Sequence, residues 1–288
     1  MPPAPRLLAR VLACLALVPA LAAAAPLEIV TSIPPYAMAA RSVAGGEGEV
    51  RVLVERGKDP HHFEPSIADI AHVQEADLVI RNGLGLQQVE DHLGRTARSE
   101  QLLTVSETVP YEPVRDQRGA VNGHIWLNPE VMVRVAQALA ERLGELRPER
   151  AAAFAANAEQ FVADIRAADE EARELLADLP TRRVVTYHPA FEYFFRHYDM
   201  EVAGTYLDLA GNEPSPKRVR ELLDTIREED IPAIFREPQL PKAPVQALAD
   251  EAGIAVGVLD PLGFEGDIQA YPDLLRYNAR QVRDAYDG

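Results

Sequence analysis

The chain has 288 residues, 47% of them hydrophobic, which supports a substantial core and excludes wholesale disorder. A formal net charge of −16 argues against nucleic acid as a partner, because phosphate binding needs a basic patch. The length is enough for two domains.

Residues 1–24 read as a secretory signal peptide. Arg6 and Arg10 give a positive start, and VLACLALVPALAAAA is a short apolar run ending in small residues. Cleavage is expected after Ala24, which implies a periplasmic protein. The run is too short to span a membrane comfortably, and no later segment reaches about 18 apolar residues, so no direct membrane insertion is expected. Cys14 is the only cysteine. Arg10 leaves almost no apolar run ahead of it, so a lipid anchor there is not expected. The mature chain then has no disulfide and no thiolate metal site.

From Leu27 to Asn82 the pattern is strand, helix, strand, helix, strand. LEIVTSI, EVRVLV and ADLVIRNG are the strands. PPYAMAARSVAG and PSIADIAHVQEA are the helices, the second with Ser66 as N-cap and Asp69 in its first turn. From Pro129 to Asp178 the chain is helical, split at Pro148. Phe154, Ala158, Phe161, Ile165, Ala168, Ala172 and Leu175 recur at three- and four-residue steps. A helix of about 30 residues would run about 45 Å and act as a stiff connector. A coiled coil fits less well, because the seam is mostly alanine. From Arg182 the alternation resumes. RRVVTYHP, EVAGTYLDL, IPAIFREP and GIAVGVLDP read as strands, with helices in SPKRVRELLDTIREED and PVQALADEAG. The expected fold class is α/β: two lobes of parallel sheet covered by helices, bridged by one long rigid helix. The expected boundaries are 25–148 for the N-terminal lobe, 149–180 for the connecting helix and 181–288 for the C-terminal lobe.

Of the seven histidines, His61, His124 and His188 each sit in a turn-like word: DPHHFEP, NGHIWLNP and TYHPAF. Asp260, in VLDPLG, has the same kind of setting. All but His124 follow an apolar, β-branched run. Ligands of open parallel sheets bind beyond the carboxyl ends of the strands, and two of these residues come from each lobe. One site in the inter-lobe cleft is therefore expected. Three imidazoles and one carboxylate suit a borderline metal such as zinc. Each residue also has a plainer reading, as a structural histidine or, for Asp260 before Pro261, a turn former. His62 is the adjacent rival to His61. His72, His92 and His197 are expected to bind no metal. Glu237 either orients a histidine ring or starts a helix.

The words DPHHFEPS, ADLVIRNGLGL, HIWLNP, VVTYHPAFEYFFRHY, EPSPKRVREL, IFREPQ and VLDPLG together resemble the substrate-binding proteins of bacterial zinc- and manganese-uptake ABC transporters. The resemblance runs from Leu27 to the C-terminus. It implies two α/β lobes joined by one long helix, with a metal in the cleft. The implied ligands are His61 rather than His62, then His124, His188 and Asp260. It also implies delivery of the ion to a membrane permease, and no enzymatic activity. Many zinc-type members carry a histidine- and acid-rich loop between the first two ligands. Here that region, SETVPYEPVRDQRGAVNG, has no histidine. Zinc is the expected cargo and manganese the alternative, since manganese prefers more oxygen donors. Two remoter readings are a secreted zinc hydrolase and a metal-stapled adhesin. Neither HExxH nor GxSxG appears, and no separate adhesive module is visible. With no long exposed apolar seam, the chain is expected to be a monomer.

Overall fold

The computed structural model describes residues 25–58, 63–85 and 88–287. The predicted signal peptide, Cys14, His61 and His62 lie outside the described residues. The first half contains β1 (Leu27–Thr31), α1 (Pro34–Ala44), β2 (Gly48–Val52), α2 (Ile67–Glu75), β3 (Leu78–Arg81), α3 (Gln88–Thr96), β4 (Leu102–Thr104) and α4 (Val105–Thr108). Two long helices follow, α5 (Pro129–Leu146) and α6 (Ala151–Ala177). The second half contains β5 (Arg183–Thr186), α7 (Glu192–His197), β6 (Glu201–Thr205), α8 (Pro216–Glu228), β7 (Ala233–Arg236), α9 (Lys242–Ala252), β8 (Ala255–Val258) and α10 (Tyr271–Asp287).

Local chemistry sets the boundaries. Pro34 and Pro35 open α1, where proline's fixed φ suits the first turn. In α2 the Ser66 hydroxyl accepts from the Asp69 N–H while the Asp69 carboxylate accepts from the Ser66 N–H, a reciprocal capping box. Helix α9 ends at Gly253, whose φ of 72° is left-handed.

Each half builds a four-stranded, wholly parallel sheet, ordered β2-β1-β3-β4 in the first and β6-β5-β7-β8 in the second. Leu27 pairs with Gly48 and Ile29 with Leu78 in the first sheet, while Val185 pairs with Ile234 in the second. In both, the chain moves outward from the first strand and then crosses back to its other side. The crossings lie between β1 and β3 and between β5 and β7. The carboxyl ends of those strands are where such a sheet leaves a crevice for a ligand.

Helix α6 has 27 residues, about 40 Å at 1.5 Å per residue. It is shorter than the expected 149–180 because Pro148–Arg150 form a 3₁₀ turn and Asp178 leaves the helix. Its apolar stripe is buried as expected except at its end, where Leu176 is fully buried and Leu175 packs half-buried against the core. After Ala172 a four-residue step stays at the centre of the inward face, and a three-residue step falls at its edge. Helices α1 and α5 from the first half and α10 from the second pack on α6. One hydrophobic cluster accordingly runs through both halves, including Ile29, Trp126, Ile165, Phe194, Phe235 and Tyr271. A second cluster, with Leu222, Leu223, Ile234, Val245 and Leu248, lies between the second sheet and helices α8 and α9. Strand β4 and helix α10 are not among the elements expected from sequence.

Candidate metal centre

His124 lies on the segment that leaves α4 and enters the short 3₁₀ turn Ile125–Leu127. That segment holds no histidine-rich loop. It folds back on itself instead, with an antiparallel bridge between Arg115 and Val121 and an Asp116 N–H to Ala120 carbonyl bond of 2.9 Å. The Tyr193 hydroxyl of α7 ties it to the other lobe, accepting from the Val114 N–H at 3.1 Å and donating to the Asn122 carbonyl at 2.8 Å. Arg196 adds an ion pair with Glu112 at 2.8 Å, an exposed contact worth little by itself.

The His124 backbone N–H donates to Asn122 Oδ1 at 3.0 Å, and its ring Nδ1 lies 2.7 Å from the same oxygen. The imidazole packs against Trp126 and against His188, with ring centroids 5.1 Å away in each case. His188 stands two residues beyond β5 and opens the Pro189–Phe191 turn. Its Nδ1 lies 3.2 Å from Glu237 Oε1, and Glu237 Oε2 accepts from Gln239 at 2.7 Å. Glu237 follows β7, so His188 and Glu237 flank the crossing point of the second sheet. His124, His188 and Glu237 are all buried. Glu237 does not start a helix, since α9 begins at Lys242.

Asp260 follows β8 and is fully buried. Its Oδ1 accepts from the N–H groups of Leu262 at 2.9 Å and Gly263 at 2.8 Å, and its Oδ2 from Glu265 at 2.6 Å. Burial pushes its carboxyl above the ordinary aspartate value, and these N–H groups oppose the rise without cancelling it. The turn must lie close to α1. Gly263 has a φ of 82°, and a Cβ there would meet the Met38 side chain at 2.6 Å. Trp126 Nε1 donates to the Pro261 carbonyl at 2.7 Å, and the Tyr271 hydroxyl donates to the Trp126 carbonyl at 2.6 Å. The Asp260 turn therefore seats on the same indole that His124 packs against.

Buried amides hold these turns. Asn82, just past β3, donates to the Gly123 and Gly83 carbonyls at 2.9 Å and accepts from the Tyr36 hydroxyl at 2.5 Å. Asn278 of α10 accepts from the Asp260 N–H at 2.8 Å and donates to its carbonyl at 2.9 Å.

Of the four expected ligands, the structure puts His124 and His188 ring to ring. Asp260 is placed next to them through Trp126, with its oxygens turned into its own loop, and His61 lies outside the described residues. Among the described residues, no three His, Cys, Asp or Glu side chains come together as a metal-holding group. His72 and His92 are half-buried on α2 and α3, and His197 bonds Asp169 of α6 at 2.8 Å. Asn122, Asn82, Asn278, Trp126 and Tyr271 were not singled out from sequence. Asn122 and Trp126 flank His124 by two residues on either side, which is the only local signal. Asn278 has none, because it sits in the unanticipated helix.

The model of the family described as "Zinc-uptake complex component A periplasmic" matches residues 29–285. A putative metal-binding protein of Thermotoga maritima is 32% identical over 260 residues, which is 89% of this chain and 92% of the relative. The manganese-binding lipoprotein MntA of Halalkalibacterium halodurans is 26% identical over 258 residues, covering 88% of this chain and 86% of the relative. The fold matches that of the periplasmic zinc binding protein TroA from Treponema pallidum with a TM-score of 0.82 and 26% identity, over 91% of this chain and 99% of the other. Two parallel sheets on one long helix, paired histidines where the lobes meet and a match over nearly the whole chain agree: the chain belongs to the zinc-uptake component A family, the substrate-binding proteins of metal ABC transporters, and is not an enzyme.

Proposed function

We propose that this chain captures zinc outside the cytoplasmic membrane and hands it to the permease of its transporter, with His61, His124, His188 and Asp260 as the ligands. The observation that carries this reading is the pair of buried imidazoles from opposite lobes, 5.1 Å between centroids, with Glu237 behind one of them. A metal-ligating histidine ordinarily has such a partner on its other nitrogen. Three imidazoles with one carboxylate form a closed four-ligand set that suits zinc and leaves no position for a reacting water. The lobes divide at the ends of α6, the working unit is a monomer, and residues 1–24 direct export with no lipid anchor at Cys14. Among the described residues, no helix is long and apolar enough to cross a membrane.

Manganese is the second reading. The Glu237 carboxylate beside His188, together with the proposed ligand Asp260, would supply the oxygen donors that manganese prefers, and relatives are named for that metal. The test is a competition titration of metal-stripped protein with zinc and manganese, reading bound metal by elemental analysis. One zinc per chain, lost in a His124→Ala/His188→Ala variant, is expected. Manganese in its place would change the cargo, and no metal at all would sink the reading.

A further inference from the structure

Asn122 is fully buried between the lobes, and each atom of its amide has an obligate partner. Its Oδ1 accepts the His124 backbone N–H at 3.0 Å. Its Nδ2 donates to the Pro189 carbonyl at 2.6 Å and to Glu192 Oε2 at 2.8 Å. A backbone N–H can only donate and a backbone carbonyl can only accept, so the amide cannot be flipped. The oxygen that takes the backbone N–H also lies 2.7 Å from His124 Nδ1. That nitrogen must then carry the ring proton, and the lone pair stands on Nε2. The same amide grips the peptide next to His188, on the other lobe.

We infer that Asn122 is a positioning residue that sets the tautomer of His124 and couples the two histidines across the lobe boundary. The inference rests on the proposed metal site only for its consequence, since the tautomer is a property of the metal-free protein. Glu192, half-buried on α7, completes the bridge, and burial holds its carboxyl above the ordinary glutamate value.

Three variants test this. Asn122→Leu keeps approximate volume and removes both the acceptor and the donor. Asn122→Asp keeps the acceptor for His124 but sets a second carboxylate against Glu192. Adding Glu192→Gln exchanges donor and acceptor between the two positions and should restore that bond. The readouts are the ¹⁵N–¹H long-range NMR pattern of the His124 ring without metal, and zinc affinity in protein shown to be folded by circular dichroism.

The wild type is expected to show Nδ1–H alone, and Asn122→Leu a mixture of tautomers with zinc affinity lower by about tenfold or more. Asn122→Asp should keep the single tautomer yet bind zinc more weakly, and the Asn122→Asp/Glu192→Gln pair should recover part of the loss, because the Pro189 carbonyl still lacks its donor. A single unchanged tautomer in Asn122→Leu, or an Nε2–H ring in the wild type, overturns the inference. Should Asn122→Leu not fold, the exchange decides alone: recovery over Asn122→Asp supports the coupling, and equal affinities in the two overturn it. A wild type that binds no zinc but shows the expected tautomers would overturn the proposed cargo and leave Asn122 in this role.

Discussion

In the second lobe His188 and Asp260 each stand two residues beyond a strand, β5 and β8, so the sheet itself aims them. In the first lobe His124 lies twenty residues beyond β4, on a folded-back segment that no strand positions. It is held by side chains instead: Asn82 on the carbonyl before it, Asn122 on its N–H and ring, and Tyr193 of the opposite lobe on the segment itself. The two lobes share a topology, yet strand ends place His188 and Asp260 in the second, while buried amides hold His124 in the first. A strand end needs little support, because its backbone is already fixed by the ladder. A loop must have its polar groups satisfied one by one, and each such bond also fixes a position.

The cores differ in the same sense. The first sheet shares one continuous cluster with α6, whereas the second also carries a separate cluster beneath α8 and α9. Removing the Phe154 side chain from α6 is expected to cost about 3–5 kcal/mol, as buried phenylalanines do, and to speed amide exchange in both sheets. Exchange rising in only one sheet would show that α6 does not join the lobes energetically. Leu223→Ala, in the separate cluster, should cost about 2–4 kcal/mol and act on the second sheet alone. Equal loosening of β1–β4 would mean that the two clusters unfold as one.

The amide supports give a smaller contrast. Asn278→Ala strands the N–H and the carbonyl of Asp260, and Asn82→Ala strands the Tyr36 hydroxyl and leaves the Gly123 carbonyl with the Ile125 N–H alone. Each should lower stability by about 1–3 kcal/mol in urea unfolding. Metal affinity separates them. The sheet still directs Asp260 when Asn278 is gone, whereas the Gly123 carbonyl keeps only the Ile125 N–H at 2.8 Å, a bond within its own turn that does not tie it to β3. Asn82→Ala should therefore weaken zinc binding more than Asn278→Ala, and the reverse order would break the comparison between the lobes.

Much of this was legible in the sequence, for reasons that show where legibility stops. Strand–helix alternation, the Ser66–Asp69 cap and the α6 stripe are local patterns, and they led to two parallel sheets on a long helix. The positions of His188 and Asp260 just beyond β5 and β8 were legible because each follows its own β-branched run. The partners of His124 were not, because Asn122 reaches Pro189 across 67 residues and Tyr193 reaches Asn122 across 71. Helix α10 carries such a local pattern too, since Tyr271, Leu274, Leu275, Ala279, Val282 and Tyr286 recur on one face with Asn278 the single polar residue among them, although it was not among the expected elements. The separation of His124 from His188, the pair on which the proposed function rests, is likewise a property of packing between lobes.

The smallest expected effect contrasts two carboxylates with opposite signs. Burial pushes Asp169 of α6 upward, but the hydrogen bond from His197, the nearby Tyr198 and the charges of His197 and Arg173 outweigh it and hold the group below the ordinary aspartate value. A depressed carboxyl gives stability that is present above its unfolded value, about 3.9, and lost as pH falls through the folded one. Glu90, buried in the first lobe, is raised by desolvation despite the N–H groups of Gly83 and Asn82 that it accepts. Between its unfolded value, about 4.3, and the higher folded value, the folded state holds the extra proton, so that contribution grows as pH falls. Acidification should therefore weaken the contact of α6 with α7 while relieving the first lobe. Carboxyl ¹³C titration by NMR can follow both groups in one sample, with Asp169 expected to titrate below about 3.9 and Glu90 above about 4.3. Midpoints in the opposite order would mean that burial, and not the His197 contact, governs Asp169.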